Sequence, residues 1–293
     1  MAGCVSSGYT LVPHKLGMVV RGIHLAQGDV PRHVVEQIKS DVTKHRLLIF
    51  KDQGIISGQK QVDITRWFGE PESTFYNHPK SPHPDVFRVS NDPAEGCTGV
   101  GRTGWHIDGS FMHAPFAYSI YHIVRVPKRG ATVFAPLTDL IERLEPEKRA
   151  RWERLWMVSD RRNRVTHPLI YPHPATGLPT LCFHVGMTEE FVWDAEDASR
   201  ARATEAEETG ALLREIEHEF TRDGGSIQYE HEWEEGDFII SDNLALGHEA
   251  HPSTQAPPSA VGLRVMHRTT VCGASTPSKR RRGATADAAS ASG

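Results

Sequence analysis

Trp105-His106-Ile107-Asp108-Gly109-Ser110-Phe111, with His248 far downstream, is the most chemically loaded pattern in the chain. Strand side chains repeat every two residues, so a His-x-Asp alternation puts both groups on one face. Gly104, Gly109 and the neighbouring aromatic residues fit a strand end that opens into a site. Two imidazoles and one carboxylate on one face of a metal suit non-haem Fe(II), with positions left for an oxidant and a co-substrate. The pair alone is weak. With 17 histidines in 293 residues, roughly one His-x-Asp is expected by chance at average Asp usage. A surface His beside a solvated Asp is the competing reading.

The bulk properties narrow the class. A chain of 293 residues with 38% hydrophobic and 24% charged residues is an ordinary globular protein able to bury a sizeable core. A net charge of -4 gives no reason to expect a nucleic-acid partner. No apolar run approaches the ~20 residues a membrane helix needs. The start, Met1-Ala2-Gly3-Cys4, has neither the charged nor the apolar region of a signal peptide, and Gly does not follow Met directly as myristoylation requires. Cys4, Cys97, Cys182 and Cys272 are scattered and form no Cys-x-x-Cys spacing, so reduced thiols in a cytoplasmic protein are expected rather than a structural zinc site.

Along the chain, residues 9–50 read as strand, loop, helix, strand, with Val34, Val35, Ile38 and Val42 near helical spacing and Leu47-Leu48-Ile49-Phe50 as a buried strand. Residues 58–68 read as a second amphipathic helix. Strand candidates follow at Phe87-Arg88-Val89, 119–126 and Thr132-Val133-Phe134. Helix is expected over 138–156 and 195–220, and further strands at Leu169-Ile170-Tyr171, Leu181-Cys182-Phe183, Phe238-Ile239-Ile240 and Leu263-Arg264-Val265-Met266. Short strands decorated by a few helices predict a mainly β fold, a sandwich or jelly roll rather than a parallel sheet. The organisation expected is a flexible N-terminus over 1–8, one domain over 9–273, and a Ser/Ala-rich tail over 274–293 too polar to bury a core. That tail carries Lys279-Arg280-Arg281-Arg282, read as a solvated basic run ahead of a nuclear signal.

Beyond the metal motif, ordered blocks recur: residues 16–23 (Leu-Gly-Met-Val-Val-Arg-Gly-Ile), 45–53, Arg66-Trp67-Phe68-Gly69-Glu70-Pro71, Arg129-Gly130-Ala131-Thr132-Val133-Phe134, Leu144-Glu145-Pro146, His167-Pro168, 173–177, Asp242-Asn243 with His248, and 264–268 (Arg-Val-Met-His-Arg). Taken together, the chain resembles the taurine dioxygenase / TfdA family of Fe(II)- and 2-oxoglutarate-dependent oxygenases. The resemblance implies a double-stranded β-helix (jelly-roll) core with flanking helices. It implies Fe(II) held by His106, Asp108 and His248, and 2-oxoglutarate held through its distal carboxylate by Arg264 and Thr132. O₂ is then the oxidant, and the products are succinate, CO₂ and an oxidised small-molecule substrate. Retention of Asp108 favours hydroxylation or desaturation over halogenation. Relatives commonly form dimers or tetramers, so a homodimer or homotetramer is expected.

A guanidinium on an apolar strand needs an anionic partner, because an unpaired buried charge is costly. A dicarboxylate co-substrate supplies one for Arg264; an internal ion pair is the alternative. Arg268 lies an even number of residues away, hence on the same strand face, and corresponds in the resemblance to a residue that grips the substrate's sulfonate. It is therefore read as a ligand for a substrate anion. His78, Tyr76 and Arg102 are weaker substrate candidates, because the spacing around them departs from the taurine-oxidising pattern, and so does the Pro/Ser-rich loop before Arg264. His248-Glu249-Ala250-His251 lacks the i, i+4 histidines of a zinc peptidase. A zinc hydrolase using the same three ligands and a non-catalytic jelly-roll binding module are the rival readings.

Overall fold

Leu47, Ile49 and Ile239 point one way and Leu48, Phe50, Phe238 and Ile240 the other, and this alternation builds the molecule. In the computed structural model, which describes residues 8–72, 77–101, 104–161 and 163–279, these residues sit in an eight-stranded sheet. Its order is Thr10–Pro13, Met18–Arg21, Leu47–Phe50, Phe238–Asp242, Tyr118–Arg125, Val265–Val271 and Pro71–Glu72, with Phe87–Ser90 also paired to Val265–Val271. Every pairing in it is antiparallel except Met18–Arg21 with Leu47–Phe50. Both faces of the central strands are covered, which is why residues 47–50 read as a continuous apolar run.

The helices Arg32–His45 and Gly58–Arg66 close the outer face. Val34, Ile38, Val42 and Ile64 meet Leu48, Phe50, Phe238, Ile240 and Ile120 there. Ser57 caps the second helix by accepting from the Lys60 amide at 3.2 Å. The inner face carries the register row Ile49, Ile239, Tyr121, Arg268. Opposite it lies a three-stranded sheet of Tyr229–His231, Thr132–Pro136 and Leu246–Ala250. The two sheets enclose Tyr121, Ile123, Phe134, Trp233, Leu246 and Met266. This is a jelly roll, mainly β as the sequence predicts, with six α-helices among the described residues where fewer were expected.

A third layer backs the smaller sheet. Helix Ala206–Gly225 and a four-stranded sheet (Arg202–Ala203, Thr188–Trp193, Leu155–Ser159, Thr166–Pro168) pack Trp152, Leu155, Phe191, Ile216 and Phe220 behind it. Here the sequence reading overran. The helix expected over 138–156 is two short helices, Leu137–Glu142 and Pro146–Trp152, followed by strand Leu155–Ser159. Glu145, preceding a proline, is extended at ψ 140, and Pro146 can only begin a helix. The helix expected from 195 begins at Ala206, because Asp194 turns with φ 46 and the Asp197 carboxylate accepts from the Ser199 amide. Residues 274–279, assigned to the tail on composition, lie against the body, where Pro277 is buried and Lys279 Nζ stands 5.1 Å from the Trp156 ring centroid.

Phe220 is the keystone of this layer. It stacks on Trp105 (4.3 Å between centroids) and on Phe183 (5.4 Å), the residues whose backbones hold the His106 segment in place. Phe220→Ala is expected to cost about 3–5 kcal/mol, read as a lowered midpoint in urea denaturation with little change in slope.

Candidate metal centre

His106 is held by backbone on both sides. Its N–H donates to the His248 carbonyl (3.1 Å) and its carbonyl accepts from the His248 N–H (2.9 Å). On the other flank the Ile107 N–H donates to Phe183 O at 3.2 Å and the Val185 N–H to Trp105 O at 3.0 Å. The His-x-Asp segment is thus a single bridge between two strand-like neighbours, followed at once by a turn. Gly109 makes that turn: φ is +74, and a Cβ there would lie 2.8 Å from the Phe116 ring.

Asn243 fixes the carboxylate-bearing residue. Its side chain accepts from the Asp108 N–H (2.8 Å) and donates to Asp108 O (2.9 Å) and Phe116 O (2.7 Å). The Asp242-Asn243 block therefore positions a ligand from 135 residues away. Asp242 is itself held by His173, whose Nε2 lies 3.2 Å from Oδ1.

One donor atom from each of His106, Asp108 and His248 lies within 4.8 Å of the others, all three residues being buried. His106 Nε2 stands 3.9 Å from Asp108 Oδ1 and His248 Nε2 3.6 Å from Oδ2. His106 Nδ1 faces the Gly104 carbonyl at 2.8 Å. A carbonyl only accepts, so Nδ1 carries the proton and Nε2 presents its lone pair to the centre. Burial lowers the pKa of His106, and lowers that of His248 to about 3, which keeps both imidazoles neutral as ligands require. Burial alone pushes Asp108 up, but Arg268, His248, His106 and Ser119 together hold it well below the usual carboxylate range. The donor set thus fits a divalent ion.

The sequence reading missed two neighbours of the triad. His184 stacks on His106 at 4.5 Å, and burial takes its pKa down to about 2. The Tyr121 hydroxyl lies 3.3 Å from His248 Nε2. Neither belongs to a spaced motif; each arrives from a strand or segment remote in sequence.

Arg264 is 4% exposed. Its Nε donates to Gly130 O at 3.3 Å and its NH2 faces Met266 Sδ at 3.5 Å, and no carboxylate pairs with it among the described residues. Burial lowers its pKa to about 10, which leaves it charged. Thr132, two residues beyond Gly130, is buried and accepts from Trp233 Nε1 at 3.1 Å. Arg268 NH1 donates to Asp108 Oδ1 at 2.6 Å, while its Nε is buried without a partner. His78 Nδ1 accepts from the Lys80 N–H (3.2 Å), and its Nε2 lies 3.1 Å from the Pro93 carbonyl oxygen. His251 accepts from the Ser253 N–H, capping a short 3-10 turn. Tyr76 and Arg102 lie outside the described residues.

A jelly roll with two imidazoles and one carboxylate converging between its sheets has the build of a non-haem iron oxygenase. The chain belongs to the taurine catabolism dioxygenase TauD, TfdA family, whose model matches residues 10–270. It is accordingly an Fe(II)- and 2-oxoglutarate-dependent dioxygenase that uses O₂. It is 24% identical over 289 residues to an alpha-ketoglutarate-dependent sulfate ester dioxygenase of Pseudomonas putida, covering 89% of this chain and 88% of that protein. It is 26% identical over 269 residues to pentalenolactone F synthase of Streptomyces arenae, covering 80% and 86%. The structure of a taurine dioxygenase from Burkholderia xenovorans superposes with a TM-score of 0.71 at 24% identity, covering 91% of both chains. No helix among the described residues is long and apolar enough to cross a membrane.

Two outcomes follow for the centre. Asn243→Ala frees the Asp108 backbone and is expected to weaken Fe(II) affinity roughly 10–100-fold, measured by competition with a calibrated chelator. Glu249, beside His248, has its pKa raised to about 7 by burial and by Glu217. A carboxyl whose folded pKa is raised contributes stability below its unfolded pKa, and that contribution is lost as pH rises through the folded value. Glu249→Gln should therefore match the parent near pH 4.5 and exceed it by on the order of 1 kcal/mol at pH 8, read by denaturant titration at both pH values.

Proposed function

We propose that the protein oxidises an unactivated C–H bond of a small anionic molecule, one bearing a sulfonate, sulfate or carboxylate. In this reading His106, Asp108 and His248 hold Fe(II), while Arg264 and Thr132 hold the distal carboxylate of 2-oxoglutarate. Arg268 takes the substrate's anionic group. The observation that carries the placement is the buried Arg264, a permanent cation without a carboxylate partner among the described residues. A guanidinium in that setting calls for an acceptor with two oxygens in one plane.

When bound, the iron and its co-substrate supply the oxidising chemistry, with release of succinate and CO₂. The chain supplies geometry and charge. Ser119 donates to Asp108 Oδ2 at 2.7 Å, so that oxygen is held while the carboxylate faces the centre. Met266, Ile123 and Phe134 line the space between the sheets and keep it apolar, which strengthens each charged contact made there. Arg268 rests against the Phe87 ring at 5.1 Å and against Asp108, so its fork is oriented before any substrate arrives. Support for an anionic substrate is this arginine, together with the sulfate esters named for the P. putida relative.

The test uses full-length protein with Fe(II), scored by succinate release. His106→Ala is expected to abolish turnover. Arg264→Ala should raise the KM for 2-oxoglutarate at least tenfold. Arg268→Ala should raise the KM of an anionic substrate and leave that of 2-oxoglutarate within about twofold. Zinc in place of iron, with no succinate released from 2-oxoglutarate in the presence of any sulfonate, sulfate ester or carboxylate, would sink the proposal.

A further inference from the structure

Thr132 has a hydroxyl with one proton to give and lone pairs to receive. Its side-chain partner among the described residues is the Trp233 indole N–H, 3.1 Å away. Indole nitrogen donates and never accepts, so the Thr132 oxygen is the acceptor in this contact. Its own proton is then turned away from the indole, and no acceptor for it is found among the described residues. Gly130, whose carbonyl anchors Arg264, lies two residues earlier on the same strand entry. Trp233 and Met266 share one apolar cluster, and Met266 Sδ meets the Arg264 guanidinium. The Thr132 hydroxyl and the Arg264 guanidinium therefore share one neighbourhood between the sheets.

Trp233 is itself held firmly. The His231 ring meets it edge-on, 4.6 Å between centroids at 86°. His231 Nε2 lies 3.0 Å from Asp237 Oδ2, and the carboxylate accepts, so Nε2 carries the proton. Nδ1 is then left to accept from the Tyr229 hydroxyl at 2.9 Å. With both ring nitrogens engaged, His231 does not rotate, and the indole packed against it keeps its N–H on Thr132.

We infer that Trp233 is a positioning residue for the co-substrate: it holds the Thr132 hydroxyl as a donor and so prepares the Arg264 end of the cavity for a carboxylate rather than a carboxamide. The inference rests on the placement of 2-oxoglutarate at Arg264 and Thr132 proposed above. An acceptor-only terminus finds a guanidinium fork and one aimed O–H. A neutral amide brings its own N–H groups against donors. Without Trp233 the hydroxyl is a free rotor, and both the affinity and the discrimination decline.

The experiment is anaerobic titration of 2-oxoglutarate, and separately of its 5-amide, which is neutral at the distal end, into the Fe(II)-loaded full-length protein. Binding is followed by visible charge-transfer absorption and paired with steady-state KM and kcat. Trp233→Phe keeps an aromatic ring and removes the N–H. The expected result is a Kd and KM for 2-oxoglutarate raised about 3–10-fold, the size of one neutral hydrogen bond, at unchanged kcat, with a narrowed preference over the amide. Thr132→Val should raise the Kd for 2-oxoglutarate at least as much, and the double variant should be no worse than Thr132→Val alone. If the Phe variant does not fold, β-(3-benzothienyl)alanine at position 233 keeps the ring shape without the N–H. An unchanged Kd in either variant, or effects that multiply in the double variant, overturns the role of Trp233. If Arg264→Ala and Thr132→Val also leave Kd unchanged, it is the co-substrate placement that has failed.

Discussion

Asp108 is a carboxylate kept ionised in a place from which water is nearly excluded, and much of the molecule is arranged around that. It is 6% exposed, with two imidazoles, an arginine and a serine hydroxyl turned toward it. An isolated buried carboxylate would take up a proton instead. The groups that prevent this come from four separate segments: the 104–111 turn, strand Tyr118–Arg125, strand Leu246–Ala250 and strand Val265–Val271. Each must be in register for the charge to be tolerated, so folding and site assembly are one requirement.

The register row Ile49, Ile239, Tyr121, Arg268 shows how the larger sheet meets that requirement. Slipping strand Val265–Val271 by one residue would turn Arg268 to the outer face and bring His267 or Thr269 to its place beside Asp108. The alternation that buries Leu48, Phe50 and Ile240 under the helices therefore also aims the arginine. Behind the smaller sheet, the Trp105, Phe220 and Phe183 stack supports the His106 segment where it has too few residues to form a strand of its own.

Arg264 poses the opposite problem to Asp108. Its charge is as deeply buried, but among the described residues it meets a backbone carbonyl and a thioether sulfur and no carboxylate. Two buried ions of opposite sign, one paired within the fold and the other not among the described residues, give the interior its polarity. Arg268 carries a buried Nε without a partner beside its bond to Asp108.

The local and periodic features were legible in the sequence. The short apolar runs, the Val34 to Val42 helix, the His-x-Asp pair with its glycine turn, and ordered blocks from 16 to 268 were enough to expect a jelly roll with a His-Asp-His triad. Sequence reading failed where nearest neighbours do not decide the outcome. Charged stretches suit helix or turn equally until a core chooses, so the helices over 138–156 and 195–220 were drawn too long. His184, Tyr121, Asn243 and Trp233 were invisible as site residues because their roles depend on partners 78, 127, 135 and 101 residues away in sequence. Composition and spacing determined which groups could serve the chemistry. Only the closure of two sheets upon each other, driven by burial of the faces between them, decided which groups meet.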